Sequence, residues 1–257
     1  MNYDLVICGV GGQGVLSIAW VIDHAAHQAG LYFKQSEVHG MAQRGGAVSA
    51  FVRISEQPVA SDLIATGAAR MVLSVEPMEA LRYTPLLHPD GWIVTDVTTL
   101  ENVDAYPQHE ALYRVLFSVP RLVVLDATGL AHKAGAIKAQ NMVVLGAAAA
   151  QLPLSSELLE TQVRALFASK GERIVKANVN AFRIGMAASA FAQALIAAGV
   201  PSALVAPVLA RLVFEPQPVS EDLIRRWVQR LLAADGAQTA ERMFSGAPVL
   251  VEAVPTA

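Results

Sequence analysis

Two glycine-rich segments carry the residues able to do chemistry in this chain. The first is Gly9-Val10-Gly11-Gly12-Gln13-Gly14, and the second runs Lys34-Gln35-Ser36-Glu37-Val38-His39-Gly40-Met41-Ala42-Gln43-Arg44-Gly45-Gly46. In the first, glycine permits a tight turn and close backbone approach. A helix starting there offers free N–H groups and a positive dipole to a phosphate. The same turn can also join a strand to a helix and bind nothing. A full dinucleotide site needs a ribose-binding carboxylate roughly 20 residues further on, and Glu37 has about that spacing. In the second segment a carboxylate, an imidazole, a carboxamide and a guanidinium fall close together. Arg44 suits a bidentate grip on a phosphate or carboxylate, or it pairs with Glu37. The density of glycine implies backbone geometry that a plain surface loop rarely needs.

These residues need a scaffold, and the flanking pattern supplies one. Tyr3 to Val10 reads as a buried parallel strand. After Gly14, the residues Val15, Ile18, Ala19, Ile22, Ala26 and Ala29 recur on one helical face, and Gly30 stands where a C′ glycine belongs. Leu31 to Lys34 restarts extended structure. Further strands are expected at Ala47–Ile54, Met71–Val75, Trp92–Thr95 and Leu122–Leu125. His88-Pro89-Asp90-Gly91 reads as a turn. Asp126 and Asn141 stand at element ends and either line the crevice or cap turns. Helices are expected after Ser155 or Ser156, from Asn178 (with Asn178 and Asn180 as caps) to Ala198, from Ser202, and after Ser220 with Leu223, Ile224, Trp227, Leu231 and Leu232 inward. Glu215-Pro216-Gln217-Pro218 is the best linker. The fold class expected is α/β and Rossmann-like, a mostly parallel sheet flanked by helices, with a helical C-terminal extension. The domain spans residues 1–200 and the extension 201–257.

Composition narrows the function classes. The chain has 257 residues, 54% hydrophobic and 16% charged, against about 25% charged in an average soluble domain. Alanine-rich helices or a face buried against another subunit both explain this. The net charge of −3, without a basic run, argues against nucleic acid. No signal peptide and no membrane span is read, so the chain is expected to be cytoplasmic. The single cysteine, Cys8, excludes an intrachain disulfide and a self-contained cysteine-ligated cluster, and reads as a small hydrophobe. His24 and His27 share a helical face but lack a third ligand. No activated nucleophile, Walker lysine or thiamine-diphosphate signature is present.

Together the two motifs resemble the gamma-type domain of the 2-oxoacid:ferredoxin oxidoreductases, and within that family its indolepyruvate branch. The likeness continues through Glu76-Pro77-x-Glu79-Ala-Leu-Arg82, Asn141-Met-Val-Val-Leu-Gly146 and Asn178-x-Asn180-Ala-Phe-x-x-Gly185. It covers about the first three-quarters of the chain. The resemblance implies a subunit that holds no cofactor alone and works beside a larger catalytic partner. That complex is expected to carry thiamine diphosphate, Mg2+ and [4Fe-4S] clusters. It would oxidatively decarboxylate a 2-oxoacid, such as an arylpyruvate, to acyl-CoA, with ferredoxin or another acceptor taking the electrons. Gly11, Gly12, Gln13 and Gly14 are carried over as a coenzyme A or phosphate contact. Ser36, Glu37, Gly40, Gln43 and Arg44 are carried over as the loop facing the partner's active site. The rival reading is a stand-alone NAD(P)-binding Rossmann oxidoreductase with Glu37 on the ribose.

Overall fold

The N-terminal apolar run forms β1 (Asn2–Val10), in which Leu5, Val6, Ile7 and Cys8 are all fully buried. In the computed structural model, which describes residues 1–39, 45–246 and 249–250, the chain continues through α1 (Val15–Gln28), β2 (Tyr32–His39), β3 (Ala47–Ser55), β4 (Ala69–Ser74) and α2 (Pro77–Arg82). It then runs through β5 (Leu87–Asp96), α3 (His109–Phe117) and β6 (Leu122–Leu125). These strands make one sheet in the order β2-β3-β1-β4-β5-β6. β1, β4, β5 and β6 are parallel neighbours, while β3 runs antiparallel to both β1 and β2. The expected mostly parallel sheet is present, with one inverted strand wedged between β2 and β1.

Both faces of the sheet are covered, as buried parallel strands require. The second half of the chain supplies α4 (Ala127–Lys133), α5 (Gln140–Ala148), α6 (Ser156–Phe167), α7 (Glu172–Ala197) and α8 (Ser202–Leu209). Then follow β7 (Leu212–Val213), α9 (Glu221–Leu232), α10 (Gly236–Ser245) and β8 (Val249–Leu250), with β8 parallel to β7. Leu5 and Ile7 face a core built with α1, α5 and α7, and Trp227 and Leu231 of α9 join the same core. Val6 and Cys8 face a smaller core that includes Ala80, Leu116 and Ala206. α7 is long and apolar enough to cross a membrane. Its apolarity is used inside the fold, where Phe182 and Phe191 are fully buried. α5 and α7 touch through glycines: a methyl at Gly146 would overlap the Phe182 carbonyl, and one at Gly185 the Val143 carbonyl.

Local end signals act as expected in several places. Gly30 takes φ +72°, and Leu31 N–H closes α1 on the Ala26 carbonyl at 3.0 Å. Ser155 and Ser220 cap α6 and α9, each accepting from the N–H three residues on. Replacing Ser220 by alanine is expected to lower stability by about 1 kcal/mol, read as a lower urea midpoint. An unchanged midpoint would show that α9 is fixed by Trp227 and Leu231 alone.

Other expectations need correction. The helix expected from Asn178 begins at Glu172. Asn178 and Asn180 therefore lie inside α7 and cap nothing; Asn178 Nδ2 donates back to the Ile174 carbonyl at 2.9 Å. His88-Pro89-Asp90-Gly91 is absorbed into β5 as an irregularity, where Ala69 pairs with Leu87 but Met71 pairs with Trp92. Turn-forming residues serve a bulge as well as a reversal. Ala29 and Leu232 are exposed, since each lies at the end of its helix beyond the packed stripe. The expected linker is held at its start by Glu215, which pairs with Lys133 at 2.7 Å.

Candidate functional site

The carboxyl ends of the parallel strands converge on the first glycine loop. Val10 ends β1, and the loop is braced from three sides. Gln13 Oε1 accepts from Val10 N–H at 2.8 Å, while Gln13 Nε2 donates to the Val75 carbonyl at 3.0 Å. Gly11 N–H donates to the Gly46 carbonyl at 2.8 Å, tying the loop to the end of the second motif. Asn141, at the start of α5, donates from Nδ2 to the Gly14 carbonyl at 3.2 Å. Gly12 and Gly14 have φ +97° and +82°, and a methyl at Gly14 would overlap the Asn141 amide.

This bracing leaves a specific set of donors. Among the described residues, the N–H groups of Gly12, Gly14, Val15 and Leu16 have no acceptor. They gather at the N-terminus of α1, where no acidic side chain occupies the first turn. Orphan N–H groups and the helix dipole together attract an anion. Gln13 differs from its neighbours, because its amide is already engaged inside the protein.

The second motif divides between strand and loop. Ser36 and Glu37 lie on β2, opposite Phe51 and Ala50 of β3. Ala50 in turn faces Ile7 of β1. Glu37 is thus level with Ile7, short of the loop, and separated from β1 by β3. Two strand spacings put it roughly 10 Å across the sheet from β1. A dinucleotide site places its ribose carboxylate on the strand beside β1, so the NAD(P) reading loses that residue. Glu37 instead accepts from Gln35 Nε2 and lies near Asp23 of α1. Burial first, then Glu37, pushes the Asp23 carboxyl up to about 7. Gly40, Gln43 and Arg44 lie outside the described residues.

An irregular segment, residues 97–108, crosses the same strand ends. No helix or strand forms over it. Asn102 Nδ2 donates to the Gly45 carbonyl at 2.8 Å. Tyr106 hydroxyl donates to the Glu76 carboxylate, and burial first, then this carboxylate, raises the tyrosine pKa. Asp96, fully enclosed at the end of β5, accepts from Thr98 N–H (3.0 Å), Ala127 N–H (3.1 Å) and Thr128 hydroxyl (2.9 Å). Burial still pushes its carboxyl up to about 7. Asp126 caps α4 through Gly129 N–H at 2.8 Å. Of the two residues left open between crevice and cap, Asp126 is a cap and Asn141 touches the loop.

Nothing among the described residues forms a cluster of His, Cys, Asp or Glu able to hold a metal. His24 stacks on Trp20 with ring centroids 3.7 Å apart, and His27 is exposed. Cys8 is wholly buried, burial pushes its thiol pKa up, and its Sγ donates to the Glu79 carbonyl at 3.5 Å. It is an inert core thiol.

Known proteins share this fold and much of this sequence. The profile of the family described as pyruvate ferredoxin/flavodoxin oxidoreductase matches residues 4–188. The indolepyruvate oxidoreductase subunit IorB of Methanothermobacter thermautotrophicus is 37% identical over 199 residues, which cover 74% of this chain and 99% of that protein. The gamma subunit of a keto/oxoacid ferredoxin oxidoreductase from Geobacter sulfurreducens is similar in structure, with a TM-score of 0.53 and 26% identity, over 72% of this chain and 94% of its own. The fold also matches a 2-oxoglutarate:ferredoxin oxidoreductase of Magnetococcus marinus, with a TM-score of 0.59 and 19% identity, over 90% of this chain but only 45% of that one.

Proposed function

The chain belongs to the pyruvate ferredoxin/flavodoxin oxidoreductase family and so forms part of an oxidoreductase complex; from that premise we propose that it is the cluster-free subunit of an arylpyruvate oxidoreductase that makes acyl-CoA. Its relatives named indolepyruvate oxidoreductase subunits support the substrate class. The carrying observation is the braced glycine loop, whose N–H groups at Gly12, Gly14, Val15 and Leu16, unpaired among the described residues, suit the pyrophosphate of coenzyme A. Ser36 and Glu37, with Gly40, Gln43 and Arg44, are assigned to the partner-facing side of the second motif.

The division of labour follows from the residues. One buried cysteine cannot ligate an iron–sulfur cluster, which takes four thiolates. The residues present therefore do not fit a cluster, and we assign the clusters, thiamine diphosphate and Mg2+ to a larger partner subunit. Those groups would supply the decarboxylation and the one-electron transfer to ferredoxin or another acceptor, with the acyl group ending as a thioester of the coenzyme A thiol. This chain's part is to hold the coenzyme by its phosphates and present it. Residues 1–200 are read as the family domain and 201–257 as an extension of this chain, and the complex is placed in the cytoplasm.

Purification of the tagged chain from its native host tests the proposal. A larger co-purifying chain with iron, sulfide and thiamine diphosphate, and arylpyruvate oxidation dependent on coenzyme A, is the expected result. Recovery of the chain alone with bound nicotinamide would overturn it. Within the active complex, Gly14→Ala forces an L-residue into the left-handed region, a strain of about 1–2 kcal/mol, and crowds Asn141. The KM for coenzyme A is expected to rise about tenfold while the KM for the 2-oxoacid stays put. Equal changes in both would argue against a coenzyme A site at this loop.

A further inference from the structure

Glu76 is wholly buried and makes no ion pair among the described residues. A buried carboxylate without a cation is costly unless donors satisfy it. Three donors reach this one. Glu79 N–H donates to Oε2 at 2.8 Å, capping α2. The Tyr106 hydroxyl and, at 3.4 Å, Leu100 N–H donate to Oε1. Two of the three donors belong to segment 97–108, which no helix or strand otherwise orders. That segment reaches the second motif through Asn102 Nδ2 on the Gly45 carbonyl. The adjoining Gly46 carbonyl accepts Gly11 N–H of the glycine loop at 2.8 Å. Gly45 has φ +89°, and among the described residues no heavy atom lies within 4 Å of where a side chain on it would begin.

We propose that Glu76 and Tyr106 are positioning residues: they latch segment 97–108 so that Asn102 holds Gly45 and Gly46, which in turn set the shape of the glycine loop. Neither residue touches the anion site itself. The proposal concerns the site read above as the coenzyme A site and rests on that reading for its kinetic consequence, though not for its structural one. The latch gives this buried carboxylate a role that an apolar side chain could not fill. It ties α2, the crossing segment and both glycine motifs into one hydrogen-bonded chain.

Tyr106→Phe removes one hydroxyl and nothing else, and Asn102→Ala cuts the next link. Both are tested singly and together in the complex purified from the native host. Hydrogen exchange is followed by mass spectrometry in peptides covering Gly9–Leu16, segment 97–108 and α7. Each single variant is expected to speed exchange about tenfold in the glycine-loop peptide and leave α7 unchanged. The KM for coenzyme A is expected to rise about fivefold at nearly constant kcat. The double variant should be little worse than either single one, because both cut the same chain. Unchanged exchange in the glycine loop, or effects that add, would overturn the latch. Faster loop exchange with an unchanged KM would leave the latch standing and count against the coenzyme A reading instead. Should Tyr106→Phe fail to fold, Asn102→Ala at its half-buried position tests the next link of the same chain.

Discussion

Gly185→Ala is expected to lower the free energy of unfolding by about 3 kcal/mol. In an open helix this change would gain stability, since alanine is favoured over glycine by about 1 kcal/mol. Packing reverses the sign here. Gly185 of α7 lies against α5, and a methyl there would overlap the Val143 carbonyl oxygen and crowd Ala147 N. Both obstacles are backbone, so no side chain can swing aside. Gly146 makes the reciprocal approach to the Phe182 carbonyl. The helices must part, and with them the packing around Phe182 and Leu145, both fully buried. Urea unfolding should show a lower midpoint at an unchanged slope. A variant as stable as the parent would mean that α5 and α7 separate freely and that the glycine contact is incidental.

The second large effect concerns pH. Stability is expected to fall as pH rises from 5 to 8, by about 2 kcal/mol for each of two buried carboxyls. Burial pushes Asp23 and Asp96 up to about 7, whereas in the unfolded chain such groups titrate near 3.9. The folded state therefore binds more protons than the unfolded state between these values. The stability present below the lower value is lost as pH climbs through the higher one. Asp23 Oδ1 has no partner among the described residues. Asp23→Asn removes its charge and is expected to stabilise the protein, with a gain about 2 kcal/mol larger at pH 8 than at pH 5. Asp96→Asn should act oppositely. Its carboxylate accepts three hydrogen bonds, and with an amide the Thr128 hydroxyl must turn from donor to acceptor, at a cost of about 1 kcal/mol. Urea unfolding of the three proteins at pH 5, 6.5 and 8 separates these outcomes. A parent curve that rises with pH would contradict the assignment.

The parts of the fold that read correctly from sequence are those fixed by neighbours in the chain. The glycine loop, the stripe from Val15 to Ala26, Gly30 and the serine caps each depend on a few adjacent residues. The inverted β3 does not, because its place between β2 and β1 is a choice among distant pairings. That choice moved Glu37 away from the loop, a displacement that no spacing rule could register. Asn178 misled because asparagine bonds its own backbone at a helix start and within a helix alike. In the site, Gly11, Gly12 and Gly14 are legible through glycine itself, while the position of Asn141 suits a cap and a crevice equally. Glu76 stands in a motif that implies no role for it, and Tyr106 and Asn102 stand in no motif. Their importance lies in contacts across 30 and 57 positions of the chain, for which sequence offers no local signal.

The side-chain amide of Gln13 gives the glycine loop a finished shape. Because it bridges Val10 and Val75 from within the protein, the loop takes its shape when the chain folds, before any guest arrives. Ordering a flexible backbone costs roughly 1–2 kcal/mol per residue, and here that cost belongs to folding and not to association. The guest proposed for this loop would dock as onto a solid surface: encounter would set the rate of uptake, and the strength of the grip would be read in how slowly it departs.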